Sequence, residues 1–330
     1  MTTPAASELP PAVPPESQGG AESQSPYRNL WVPLIVVPAL IGIVLVVVFV
    51  LFGAVSGKEA PPEENLSRML DGGKNERQQA SFGLVRQILE RKDAIARGEP
   101  ATFAITPVFS ERLTSAFDSA DLRDEEQYEQ AYLCANVLFE LGEPGGFERL
   151  VQLADASDTA DPKGFVRFTL LSSFGALAER LDAAQRARAN ELLVRFVEHS
   201  DPGLVRAAAM SLQRYPSDAS AAALRGLLGS SELDLRGQAA ISLSHLGDAA
   251  GAGVLVEMLE PGAYERAHAA QSHKFAKARD VSQARVKALE ALLRLGDPAH
   301  RARIEELSRT DADLGVREAA IRALSAAPSR

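Results

Sequence analysis

Few side chains in this sequence are spaced for chemistry. His268 and His273 stand five residues apart, with His245 further upstream. Metal ligands on one helix need spacings of three or four to share a face, and no cysteine or close carboxylate pair completes a shell here. Cys134 lies within the apolar run AYLCANVLF. A reactive thiol needs an exposed, electropositive setting, so the simpler reading is a small core residue. Gly72-Gly73-Lys74 lacks the rest of a phosphate-binding loop, and no Ser-His-Asp arrangement is present. Glu125 and Glu126 favour a helix N-terminus more than a catalytic dyad. No catalytic residue, cofactor site, metal site or small-molecule substrate is therefore expected. The remaining concentration of function-bearing side chains is basic: Arg266, His268, His273, Lys274, Lys277 and Arg279, with Glu265 as the one acid before Asp280. Such a patch suits an anionic partner surface or lipid headgroups, although a solvated helical face would look the same.

The elements that carry these residues are helical by composition. Hydrophobic residues make up 46% of the 330 and aromatics only 6%, with Ala and Leu abundant, which suits closely packed helices better than a β-sandwich. A net charge of −9 argues against a nucleic-acid surface, because phosphate binding needs a basic face. A single cysteine rules out an intramolecular disulfide.

Four segments follow in order. Residues 1–28 are rich in Pro, Ser, Ala and Glu with no periodic apolar face, and are expected to be disordered. Residues 29–57 contain no charged side chain and exceed the ~20 apolar residues that cross a bilayer as a helix. Tyr27 and Trp31 sit where interfacial aromatics would, and Pro33 and Pro38 fall in the first turns. One transmembrane helix is expected, with a cleaved signal peptide ending near Ala54-Val55-Ser56 as the alternative. Arg28 precedes the span, while Lys58, Arg68, Lys74 and Arg77 follow it. This count favours a cytoplasmic body in a single-pass cell-membrane protein, but long domains are translocated regardless of charge, so the side stays open. Residues 58–66 read as a linker and 67–330 as one helical domain, with irregular inserts near 97–127 and 260–283.

The domain repeats itself. LVRAAAMSLQRY (204–215) and LRGQAAISLSHLGD (235–248) begin 31 residues apart, and in both an apolar residue recurs eight and eleven positions on: Leu212 and Tyr215, Leu243 and Leu246. ARVKALEALLRLGD (284–297), VREAAIRALSA (316–326) and QAYLCANVLFELGE (130–143) fit the same template, and FVRFTLLSSFGAL (165–177) and ERQQASFGLVRQIL (76–89) fit it loosely. Those positions share one helical face, so each segment is an amphipathic helix, and each is followed by a turn and a second apolar helix. Six or seven such hairpins must stack, because one alone cannot bury its apolar face.

DPGLVRAAAMSLQRY, ELDLRGQAAISLSHLGD and DADLGVREAAIRALSA resemble bacterial HEAT-like repeats of the form named after phycobilisome lyases. The resemblance covers about 125–330 well and 66–124 weakly. It implies an all-α, right-handed α-α superhelix of the HEAT or armadillo kind, here preceded by the transmembrane helix. It also implies a ladder stitching adjacent repeats, for which Asp201 with Arg206, Asp234 with Arg236, and Asp313 with Arg317 are the matching positions. Relatives of this kind bind partners in a concave groove lined by the second helices. The expected function is a membrane-anchored, non-catalytic scaffold for protein partners that the sequence does not name. The alternatives are a bilin-lyase-like enzyme on the same scaffold, acting through Cys134 or the histidines, and a regulatory subunit of a membrane complex.

Overall fold

The computed structural model describes residues 60–269 and 278–326. The expected tail, the charge-free segment 29–57 and His273, Lys274 and Lys277 lie outside the described residues. Among the described residues no helix is long and apolar enough to cross a membrane.

Fifteen α-helices and no strand are found among the described residues. In chain order they are α1 Pro62–Asp71, α2 Lys74–Ala96, α3 Pro107–Asp118, α4 Glu125–Leu141, α5 Gly146–Ala154, α6 Phe165–Leu177, α7 Ala183–Phe196 and α8 Pro202–Leu212. They continue as α9 Asp218–Leu227, α10 Leu233–His245, α11 Ala252–Leu259, α12 Ala263–Ala269, α13 Ala278–Leu295, α14 Pro298–Thr310 and α15 Leu314–Ala326. The first helices of the pairs form one layer, in which α2 packs on α4, α6 on α8, α8 on α10, α10 on α13 and α13 on α15. The second helices form the other layer, with α5 on α7 and α7 on α9. This is an all-α helical solenoid, as the repeat requires.

Short motifs set the hairpins. Leu-Gly-Glu at 141–143 and Leu-Gly-Asp at 246–248 and 295–297 close three first helices. Gly142, Gly247 and Gly296 adopt φ of 79°, 75° and 73°, the left-handed conformation that glycine enters without penalty. The following Asp248 and Asp297 accept hydrogen bonds from Ala250 N (2.9 Å) and Ala299 N (2.8 Å), so a single tripeptide stops one helix and caps the next element. Asp182 and Gln185 form a reciprocal capping box on α7.

The structure places helices in three stretches read as linker or insert. Residues 62–66, read as linker, are the first turns of α1, where Pro62 at the start and Glu63 and Glu64 in the first turn favour initiation and Leu66 is fully buried. The irregular stretch 97–127 contains α3, a helix of the stack. Thr106 caps it, Pro107 occupies its first position, and Phe109, Leu113 and Phe117 are buried against α4 and its neighbours. Pro107 thus marks a helix start, and Pro100 lies in the loop before it. The stretch 260–283 likewise holds α12 and the beginning of α13.

The core is continuous along the stack. A cluster running from Leu66 to Leu243 meets a second, from Leu233 to Ala320, within α10: Ala239 and Leu243 face the first, and Leu233 and Ala240 the second. Small residues allow close approach. A Cβ on Gly175 of α6 would come 3.1 Å from Ser211 Cα of α8, whose hydroxyl donates to Leu171 O at 2.7 Å.

Candidate functional site

The expected ladder takes a different form. Asp201 and Asp313 are N-caps: Asp201 accepts from Gly203 N and Leu204 N, and Asp313 from Gly315 N and Val316 N. Arg206 is exposed, and neither it nor Arg317 has an ion pair among the described residues. Asp234 lies in the first turn of α10, and Arg236 pairs with Glu257 of α11 while donating to Ser230 O and Ser231 O.

Arg236 has two counterparts that the sequence reading missed. Buried Arg167 donates to Asp158 and to Asp161 O, and buried Arg285 donates to Asp311 (3.0 Å from Nη1) and to Leu259 O (2.9 Å). Each ties a first helix to the loop or helix end before it. The signal was present: Arg167, Arg236 and Arg285 each precede apolar residues by seven and ten positions (Phe174 and Leu177, Leu243 and Leu246, Leu292 and Leu295). Arg206 lies one residue out of that register, about 100° around the helix, and so faces water. Arg317 is in register, at the last described helix.

Of the basic patch, Arg266 is exposed and donates to Pro261 O (3.0 Å) and Glu260 (3.4 Å), which ties it to its own loop. His268 lies on α12 and Arg279 on α13. Among the described residues no cluster of His, Cys, Asp and Glu is placed to hold a metal ion. Cys134 is fully buried, and burial pushes its thiol up to about 12, leaving it protonated at neutral pH. Iodoacetamide should therefore leave Cys134 unmodified in the folded protein and alkylate it once urea exposes α4, as read by mass spectrometry. Rapid stoichiometric labelling under native conditions would revive a thiol-based activity.

The geometry instead offers a cleft on the first-helix layer. Although α2 packs on α4 and α6 on α8, α4 and α6 make little backbone contact. The chain between α5 and α6, residues 155–164, is mostly Ser, Thr, Asp, Pro and Gly, residues that favour turns. The resulting cleft has a volume of about 310 Å³. Its apolar wall is Tyr132, Leu133, Phe165 and Val166, and Lys74, Arg77, Glu126 and Glu129 form the rim. The rim is internally neutralised: Lys74 pairs with Glu129 at 2.7 Å and Arg77 with Glu126 at 2.8 Å, while Arg77 Nε also donates to Gly72 O. Such partly exposed pairs set the shape of the rim more than its stability. Burial raises the Tyr132 hydroxyl above its ordinary range, so it stays protonated as a donor.

Apolar surface continues beyond the cleft. Phe165 is 64% exposed and Phe168, one turn along the same face of α6, is 38% exposed. On α2, Phe82 is 66% exposed, at helical spacing from the cleft-lining Gln78, and Leu89 follows seven residues on. Aromatic rings held in water at successive helices mark binding surface more often than chance exposure. A larger depression of about 640 Å³ between α1, α3 and α4 is more open and lined mainly by polar side chains such as Glu111, Arg112 and Gln127. The second-helix layer, expected to line the groove, carries a depression of about 590 Å³ between α7 and α9, walled by the small and aliphatic side chains of Val194, Val197, Ala222 and Ala223 and without an aromatic ring. The cleft was invisible in sequence because it depends on a lateral gap between two helices.

A stack of helix pairs with a continuous core and an apolar cleft on one layer defines a helical-repeat protein. Residues 175–243 and 189–274 match the family model for HEAT repeats, so this stretch of the stack is similar to HEAT repeats. No curated protein matches it. Solved structures that match include an engineered protein, a structural-genomics target, at 20% identity and TM-score 0.41, covering 66% of this chain and 95% of that one. Human deoxyhypusine hydroxylase in complex with glycerol matches at 16% identity and TM-score 0.29, covering 80% and 94%. Both likenesses are too loose to carry an argument.

Proposed function

We propose that this protein is a membrane-tethered, non-catalytic interaction scaffold, whose cleft between α2, α4 and α6 receives an apolar side chain of a protein partner. The observation that carries the reading is the exposed aromatic surface around that cleft, set on a rigid repeat stack. Tyr132, Leu133 and Phe165 supply the apolar contact, and the paired charges of the rim exclude water around it. The tether rests on the charge-free segment 29–57. Confining the stack to a membrane raises its effective concentration near other membrane proteins, so modest contacts suffice.

The tether is tested by sedimentation of membranes washed in alkaline carbonate. The full chain is expected to stay with the membranes, and a chain lacking 29–57 to be released. Release of both would overturn the anchored reading and leave the scaffold free of the bilayer.

A further inference from the structure

The repeat also builds a row of basic side chains. Two residues after the register position occupied by Leu212, Leu243 and Leu292 stand Arg214, His245 and Arg294. These positions fall at the C-terminal ends of α8, α10 and α13, three helices that pack side by side in succession. The equivalent positions in α4 and α6 are Glu140 and Ala176, so the row is confined to three consecutive repeats. All three side chains are exposed. Arg294 donates to Ser244 Oγ at 3.0 Å and has no carboxylate at ion-pair distance among the described residues. His245 has no hydrogen bond or ion pair among them. Arg214 has one loose partner, Glu179 at 3.6 Å, itself 82% exposed.

Within a protein of net charge −9, two arginines flanking an imidazole, with a single weak counter-charge at ion-pair distance, form a surface lacking its partner. Partial burial, followed by the nearby Arg294 and Arg214, holds the His245 imidazole below its usual range. On the helices packed together here, Asp234 lies at the far end of α10 and Asp280 at the start of α13, and exposed Glu290, one turn before Arg294, makes no ion pair with it.

Spacing names the partner's chemistry. Neighbouring packed helices lie about 8–10 Å apart. An extended polyproline-type segment rises about 3.1 Å per residue with three residues per turn, so every third side chain recurs on one face at about 9.3 Å. We infer that Arg214, His245 and Arg294 bind an extended acidic segment of a protein partner, carrying carboxylates at every third residue. An anionic bilayer is the weaker fit, since lipid recognition of this kind uses clusters of about four to eight basic residues. The inference rests on the stack being an interaction scaffold, but it uses residues separate from the cleft, so the two stand or fall independently.

The test uses the full chain in neutral-lipid nanodiscs and a fluorescein-labelled peptide of four Glu-Pro-Pro units, read by fluorescence polarisation. Binding is expected to weaken with added salt and to tighten as pH falls through the His245 range. Arg214→Gln or Arg294→Gln alone should weaken it about threefold to fivefold, the scale of a partly exposed ion pair, and the triple variant with His245→Gln should abolish it. Arg206→Gln, an exposed arginine off the row, should leave it unchanged. Equal binding by the triple variant, an equal loss with Arg206→Gln, or equal affinity for a peptide with glutamate at every second residue would each overturn the proposal. Capture of phosphatidylserine vesicles that depends on the three residues, without peptide binding, would reassign the row to lipid.

Discussion

Asp311→Ala is expected to destabilise the C-terminal repeats by about 3–5 kcal/mol, because it strands a buried guanidinium. The Arg285 side chain is 10% exposed and that of Asp311 3%, and both carboxylate oxygens accept from the two Nη atoms. The same guanidinium holds Leu259 O at the end of α11, so one side chain joins α11, α13 and the α14–α15 turn. Without the carboxylate, the cation is neither solvated nor paired. The double variant Arg285→Leu, Asp311→Leu should recover most of the loss, since a buried pair replaced by apolar groups is often neutral. Asp313→Ala, two residues away, which removes a helix cap and a hydrogen bond with Ser282 but leaves the Arg285 ion pair in place, should cost less, about 1–2 kcal/mol. In a repeat stack the loss falls on neighbouring units, so hydrogen exchange should show α13 to α15 opening while α2 to α8 stay protected. Uniform loss of protection along the whole chain would contradict that local account.

Phe174→Ala is expected to cost about 3–5 kcal/mol, the range for deleting a fully buried aromatic ring. Phe174 occupies the register position filled by leucine in other repeats and is fully buried. Its ring meets Phe147 of α5 nearly edge-on, with centroids 5.9 Å apart, and its carbonyl accepts from the Tyr215 hydroxyl at 2.6 Å. The substitution therefore opens a void where α5, α6 and α8 meet. Phe165→Ala, nine residues earlier on the same helix, removes a ring that is 64% exposed and should change stability little. Urea unfolding of the two variants separates the roles. Equal destabilisation would mean that Phe165 is a packing residue and would weaken the case for the cleft as binding surface.

The difference between those phenylalanines shows where sequence reasoning ends. Register marked Phe174 as core because it falls on the i+7 and i+8 face shared by every repeat. Gly142 as a helix stop, Glu125 and Glu126 in a first turn, and Cys134 as a core residue were legible for the same reason: each depends on a few neighbouring residues. The arginine rungs were half legible. Their register can be counted, but Arg206 stands one residue out of phase, while Arg167 and Arg285 are in phase and buried. Helix α3 lay in a stretch that breaks the repeat spacing and was read as an insert, although Thr106 before Pro107 is a helix-start signal. Phe165 could not be placed at a cleft, since the gap beside it reflects how far α6 stands from α4, a property of two helices distant in sequence. The basic row needed both kinds of information: the register supplies Arg214, His245 and Arg294, and the packing of α8, α10 and α13 makes them neighbours.

The central claim, that a protein partner docks in the cleft on the first-helix layer, is tested most directly by placing a photo-crosslinking amino acid at position 165 of the full chain in its native membranes. A matched chain carries the crosslinker at position 222, exposed on α9 in the opposite layer. The account predicts a discrete protein adduct from position 165 that disappears when Leu133→Asp places a charge on the cleft wall, and no such adduct from position 222. An adduct from position 222 alone, or one from position 165 that persists with Leu133→Asp, would contradict it and move the binding surface to the second helices.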